Sequence, residues 1–326
     1  MNICILGGAG YVGTELTRYL LDKGHNVDVL DLFWFGDHLR VHPNLLTLKG
    51  DIRKKDDIED ILDASDTVIH LACVSNDPSF EMQPKLGKSI NLDCFKMILE
   101  CVRKSNVNRF IYASSSSVYG IHETDNVTEK TECRPLTDYS KFKLECENIL
   151  KNTDMGLTNW TIVRPATVCG FSPRMRFDLV VNIMTACALW DGKIKVHGGK
   201  QLRPNIHIKD MIRAYETIML SDTNGETFNV GFENHSLLDI AIQIADLIPD
   251  ADIVMEESKD PRSYHVNSDK IEKVLGFKPI YSIRDAVIDI YNAKAQGYVD
   301  RYDSKTEYSN IKKMQELINE GQILVP

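Results

Sequence analysis

Apolar residues along this chain fall into two alternating rhythms. Short, largely apolar runs, Ile3 to Leu6, Val27 to Leu30, Leu45 to Leu48, Thr67 to Ala72 and Arg109 to Ala113, read as buried strands. Between them apolar residues recur at helical spacing: Val12, Leu16, Tyr19 and Leu20 in the first stretch, then Lys54 to Leu62 and roughly Ile90 to Arg103. Repeated strand–helix pairs with short connections predict an α/β fold with a doubly wound parallel sheet, whose ligands bind beyond the carboxyl ends of the strands. Later helices are expected over Leu179 to Trp190, Ile208 to Leu220, Ser236 to Leu247 and Ser282 to Tyr298, with a short strand at Phe228 to Gly231. A polar tail, Asp300 to Asn310, and a last helix, Ile311 to Asn319, follow. The division expected is a large domain over 1–170, rejoined by a segment near 204–235, interleaved with a smaller α/β lobe over 171–326.

The first strand runs into Gly7-Gly8-Ala9-Gly10-Tyr11-Val12-Gly13, and the second ends on Asp31. A diphosphate must come almost into contact with the main chain where a strand turns into a helix, and side chains there would block it. The unpaired N–H groups and positive end of the helix then attract the anion. Gly7, Gly10, Tyr11, Val12 and Gly13 are the expected contacts. Asp31 suits the 2′-hydroxyl of a ribose and would repel a 2′-phosphate, which points to NAD rather than NADP. Strand, turn, helix, second strand and acid together identify a Rossmann-type dinucleotide unit. Asp51 and Ile52, past the third strand, suit an adenine edge and face. Ser75, in a loop past the next strand end, either lines the site or belongs to simple turn chemistry.

Composition narrows the picture. With 43% hydrophobic and 26% charged residues over 326 positions, the chain has the balance of an ordinary globular protein. No stretch reaches the length of a membrane span, and Met1 leads into a strand without a signal peptide, so the cytoplasm is expected. The net charge of −9 argues against a nucleic-acid surface. The eight cysteines form no C-x-x-C pair and the nine histidines no H-E-x-x-H, so neither disulfides nor a metal site is expected.

Tyr139 and Lys143 open a further amphipathic helix, and their spacing stacks both side chains on one face. A tyrosine is a poor base at neutral pH, but a neighbouring ammonium and a nicotinamide ring would make it a better one. Tyr139 is then placed to take a proton from a substrate hydroxyl while hydride leaves the same carbon.

Taken together, these motifs make the chain resemble, over nearly its whole length, an extended short-chain dehydrogenase/reductase of the nucleotide-sugar epimerase and dehydratase group, similar to UDP-glucose 4-epimerases. The resemblance implies a Ser115–Tyr139–Lys143 triad, with Lys143 also holding the nicotinamide ribose. It implies cofactor contacts at Leu71 and Ala72, and at Pro165 in Val163-Arg164-Pro165-Ala166-Thr167. Substrate contacts would come from Ser75, Ser115, Ser116, Thr167, Arg176 and Asn182, with Arg203 and Arg262 on the sugar-nucleotide diphosphate. Homodimers are usual in such families.

Departures from the family pattern matter as much. Dehydratases of the group carry Asp-Glu after the catalytic hydroxyl, and decarboxylases a glutamate, where this chain has Ser116 and Ser117. Neither serine is an effective acid or base near neutral pH, so C4 oxidation should not proceed to elimination. Galactose epimerases have Asn and Tyr where Thr167 and Cys169 stand, and the loop Ser172 to Asp178 is unusually charged. That loop either holds a particular hexose or heptose or is exposed. The function expected is 4-epimerisation of a nucleotide-linked sugar. A 4-dehydrogenase or 4-keto reductase, for instance on a GDP-heptose, is the alternative, followed by a dinucleotide-binding sensor without chemistry.

Overall fold

The computed structural model describes residues 1–75, 77–122, 126–257 and 265–323. Its frame is a seven-stranded sheet built from β1 (Asn2–Leu6), β2 (Asn26–Asp31), β3 (Leu45–Lys49), β4 (Thr67–His70), β5 (Arg109–Ala113), β6 (Asn159–Pro165) and β10 (Glu226–Val230). The strand order is β10-β6-β5-β4-β1-β2-β3, parallel throughout. Ile3, Cys4, Ile5 and Leu6 are all fully buried, because helices cover both faces of a parallel sheet; this is why β1 reads as a continuous apolar run rather than an alternating one. The strand order reverses at β1, which has β2 on one side and β4 on the other, and opens a crevice at its carboxyl end.

Helices α1 (Tyr11–Asp22), α2 (Lys55–Leu62), α3 (Asp77–Met82), α4 (Pro84–Lys88), α5 (Phe95–Lys104) and α6 (Asp138–Lys151) lie among the strands of the first half. The helix expected over Ile90 to Arg103 is broken: a widened turn over Ser89–Asp93 joins α4 to α5. There the Asn91 side chain leaves the helix surface to bond both the N–H and the carbonyl of Val74, at 2.8 and 3.0 Å, pinning the loop beyond β4.

The second half contributes two small sheets. One, ordered β11-β9-β7, contains β7 (Thr167–Cys169), β9 (Leu202–His207) and β11 (Glu233–Ser236); the other pairs β8 (Lys193–His197) with β12 (Asp252–Glu256). Helices α7 (Val180–Asp191), α8 (Ile208–Met219), α9 (Leu237–Leu247), α10 (Asp269–Leu275) and α11 (Ile283–Ala295) surround them. Capping boxes at Ser236 and Ser282 start α9 and α11.

The end of the chain departs from expectation. The polar segment after Asp300 is not a loose tail: Tyr308 is buried and packs edge-on against Phe177, with ring centroids 5.2 Å apart. Helix α12 (Asn310–Asn319) does not join the smaller sheets as the 171–326 lobe would require. Its Met314 and Leu317 are buried in the same apolar cluster as Leu6, Leu30 and Ile52 of the large sheet. Helical spacing alone could not show this, because the cluster joins residues about three hundred positions apart in sequence.

Candidate functional site

A cleft opens at the carboxyl ends of β1 and β4. It is lined by Gly7, Gly10, Tyr11, Val12, Gly13 and Asp31 at one end and by Ala113, Tyr139, Lys143 and Pro165 at the other. Leu71, Ala72 and Ser75 form its wall, and Gly50 and Ile52 lie beside Asp31.

The glycine turn has a different requirement at each glycine. Gly7 sits at φ +86°, and a side chain there would press to 2.5 Å from the backbone of Ala72. A Cβ on Gly13 would meet the carbonyl oxygen of Gly7 at 2.5 Å, so this glycine allows the helix to pack against the turn. A Cβ on Gly10 meets only that same oxygen, at 3.5 Å; its bare face is toward the cleft. Gly10 caps α1 without a side-chain hydrogen bond, and the first turn of α1 carries no acidic residue. The carboxylate of Asp31 accepts from the N–H groups of Ala9 and Phe33, each at 2.9 Å, which aims it along the cleft. Its burial pushes it above the usual carboxylate range, against the pull of those N–H groups and of Arg174. A bare glycine face at a helix N-terminus beside a carboxylate fixed at the end of the second strand fits a dinucleotide.

At the other end, Thr137 and Ser140 form a capping box that fixes the first turn of α6 and with it Tyr139. Lys143, one turn on, lies 5.9 Å from the Tyr139 ring centroid and donates to the carbonyl of Ala113 at 2.7 Å. Beyond β5 the chain turns extended at Ser115 and enters a short 3-10 turn, Ser116–Tyr119. The Oγ of Ser115 accepts from the N–H of Ser117 at 3.1 Å and from its hydroxyl at 2.9 Å. A hydroxyl has two lone pairs and one proton, so with both lone pairs engaged Ser115 keeps its proton for a donor role. Ser114 is no competitor, because its hydroxyl donates to Glu147 at 2.5 Å.

Beneath this lies a network that the sequence alone did not reveal. Glu147, fully buried, receives both arms of Arg164 at 2.9 and 2.6 Å. Arg164 also donates to the hydroxyl of Tyr119 at 2.8 Å, and that hydroxyl donates to Asn229 at 2.6 Å. Burial would raise the Glu147 carboxyl, but the hydrogen bonds and charge of Arg164 hold it below the usual range. The network ties α6, β6, the serine turn and β10 together. Its one legible signal was Glu147, which follows Lys143 at helical spacing.

Several expected contacts stand elsewhere. Asn182 is fully buried, accepts from the N–H of Gly170, and donates to the carbonyl of Arg176 and the hydroxyl of Tyr11, at 3.0, 2.8 and 3.1 Å. Its side chain is spent on holding the chain, which corrects its expected place on the substrate. Ser116 is buried in the 3-10 turn, and neither it nor Ser115 is among the residues that line the cleft, which reaches this turn at Ser114. The Asp51 carboxylate faces Arg53, with contacts of 3.0 and 2.6 Å, while its neighbours Gly50 and Ile52 line the cleft. Thr167 begins β7 in register with Asn205, and Arg203 lies on β9 opposite His235; neither lines the cleft. Arg262 lies outside the described residues. The loop from Ser172 to Asp178 is not exposed: Arg174 and Arg176 are both buried and line the cleft.

Residues 3–231 match the model of the NAD dependent epimerase/dehydratase family. Among curated proteins, UDP-glucose 4-epimerase of Lactobacillus helveticus is 27% identical over 331 residues, covering 92% of this chain and all of the relative. Among solved structures, a point mutant of UDP-glucuronic acid 4-epimerase from Bacillus cereus, in complex with a UDP-fluorosugar and NAD, superposes with a TM-score of 0.81. It is 26% identical and covers 91% of this chain and all of its own. A dTDP-glucose 4,6-dehydratase from Streptomyces venezuelae shares the fold, with a TM-score of 0.83 at 20% identity over 92% of this chain and 99% of its own.

Proposed function

Because the chain belongs to the NAD dependent epimerase/dehydratase family, we propose that it inverts C4 of a nucleotide-linked sugar and returns its NAD unchanged. The observation that carries this reading is that one cleft joins the glycine turn and Asp31 to Tyr139 and Lys143. Gly7, Gly10, Tyr11, Val12, Gly13, Asp31, Ile52, Ala72 and Pro165 would hold the cofactor, and NAD when bound accepts and returns the C4 hydride.

In this reading Tyr139 takes the proton of the C4 hydroxyl and later gives it back, while Ser115 donates its free proton to the C4 oxygen. Lys143 holds the nicotinamide ribose and keeps positive charge beside Tyr139. Ser117 acts through Ser115, fixing its rotor. No carboxylate follows the catalytic hydroxyl, so the 4-keto sugar is not driven to lose its C6 oxygen. It turns in the pocket and is reduced on its other face. Arg203 and Arg262 remain the proposed ligands of the sugar-nucleotide diphosphate, since guanidinium forks suit paired oxyanions.

A 4-dehydrogenase would use the same groups but must release its reduced cofactor at every turnover. The cleft favours the epimerase, because Arg174, Arg176, Asn310 and Met314 cover it from the second half of the chain. Cytoplasmic location and association as a homodimer belong to the same reading. Eight free cysteines suit a reducing compartment, and sedimentation tests the dimer. Among the described residues no helix is long and apolar enough to cross a membrane.

The direct test is Tyr139→Phe. The variant should fold and keep its NAD while kcat falls by about two to four orders of magnitude. Undiminished turnover would show that the base lies elsewhere.

A further inference from the structure

The segment from Ser172 to Asp178 turns two arginines into the cleft that the C4 chemistry does not use. Ser172 donates to the carbonyl of Tyr11 at 2.8 Å, and Tyr11 donates to the carbonyl of Gly170 at 2.5 Å, so the segment starts stapled to the first residue of α1. Arg174 is 2% and Arg176 8% exposed. Arg174 stacks on Phe35, 4.1 Å from the ring centroid, and donates to Oδ1 of Asn310 at 2.6 Å. Arg176 meets Asp178 at 2.9 Å and Ser75 at 3.2 Å.

What remains is a surplus of donors and of charge. Nε and Nη1 of Arg174 and Nη2 of Arg176 are buried with no hydrogen-bond partner among the described residues. Asp178 pairs with Arg176, and no carboxylate pairs directly with Arg174 among the described residues. Burial and the like charge of Arg176 push Arg174 down to about 9. Buried guanidinium groups left in this state are costly unless an anion meets them. Asn310, whose side chain also donates to Ser75 at 2.8 Å and whose N–H donates to Asp178 at 3.0 Å, holds the cluster in place from α12.

We propose that Arg174 and Arg176 close over the diphosphate of the bound dinucleotide, opposite the N-terminus of α1, and retain the cofactor through turnover. The diphosphate then has backbone N–H groups on one side and two guanidinium forks on the other. The segment is tied to Tyr11 at the glycine turn, and Arg174 lies near enough to Asp31 to act on its carboxyl, which favours the cofactor's diphosphate over the substrate's. The inference rests on the NAD cofactor and not on the C4 reaction.

Binding of ADP, adenosine and UDP to nucleotide-free protein, followed through the fluorescence of Trp34 in the cleft wall, tests it. In Arg174→Leu and Arg176→Leu, ADP affinity should fall on the order of 10- to 100-fold, while adenosine affinity changes by less than about twofold and UDP affinity is kept. Wild-type protein should purify with NAD bound, and the variants should lose it on dialysis. Melting of nucleotide-free Arg174→Leu should match or exceed that of wild type, since an uncompensated buried charge is gone, whereas Arg176→Leu should melt lower because it leaves the Asp178 carboxylate without its partner. If a leucine variant does not fold, Arg174→Lys and Arg176→Lys keep the charge, lose the fork, and should show a smaller loss of the same sign. Unchanged ADP affinity, equal losses for adenosine and ADP, or loss of UDP affinity in place of ADP would each overturn the assignment. These readouts need no turnover, so failure of the C4 reading would leave them standing, and their failure would leave the C4 reading untouched.

Discussion

At the scale of single residues, the site depends on how hydroxyls and carboxylates are occupied by their neighbours. Ser115 offers a proton because Ser117 fills both its lone pairs, so Ser117→Ala should lower kcat about five- to tenfold with KM nearly unchanged. An equal loss in kcat and affinity would point to damage to the turn instead. Glu147 is the opposite case, a buried carboxylate held charged by Arg164. Glu147→Gln leaves that guanidinium buried and unpaired and should cost about 3–5 kcal/mol in denaturant unfolding. The sign of its pH dependence follows. The folded carboxyl lies below its unfolded value, near pH 4 to 5, so its contribution is complete above that value and is lost as pH falls through the folded one. The acid limb of the stability curve should therefore be shallower in the glutamine variant, as equilibrium unfolding across pH would measure.

At the scale of elements, the cleft is assembled from the ends of β1, β4, β5 and β6 and then covered from far along the chain. Asn310, at the start of α12, bonds Arg174 and Ser75 and so clamps that cover. Asn310→Ala should speed NAD release by about tenfold while leaving the unfolding midpoint within a few degrees of wild type, as stopped-flow displacement and a melting curve would read. The strands, the glycine turn, Asp31 and the start of α6 were legible because each has a local signature: an apolar run, bare backbone, a carboxylate at a strand end, an amphipathic helix. The widened turn at Ser89–Asp93 and the burial of α12 were not, since both answer to distant partners, Val74 and the apolar cluster around Leu6. Asn182 shows the same limit at a single position. An asparagine read as a ligand turned out to be satisfied by Gly170 and Arg176 in the preceding loop and by Tyr11, far from it in sequence. Arg174 and Arg176 carried a signal, their charge in an otherwise ordinary loop, but not its direction; only folding shows that they face inward.

At the scale of the molecule, a parallel sheet that reverses its strand order at β1 supplies the crevice, and the second half of the chain closes it. An enzyme that returns its hydride to the same substrate gains from such closure, because reduced cofactor must not leave before the sugar has turned. The measurement that bears most directly on this account is the near-ultraviolet absorbance of the purified protein, recorded while it is offered UDP-, GDP-, CDP- and dTDP-hexoses and heptoses, with the C4 configuration of the product determined alongside. The account predicts a transient reduced-nicotinamide signal that returns to baseline without added NAD, together with C4-inverted sugar. Reduced cofactor that accumulates and escapes into solution with a 4-keto product would contradict it.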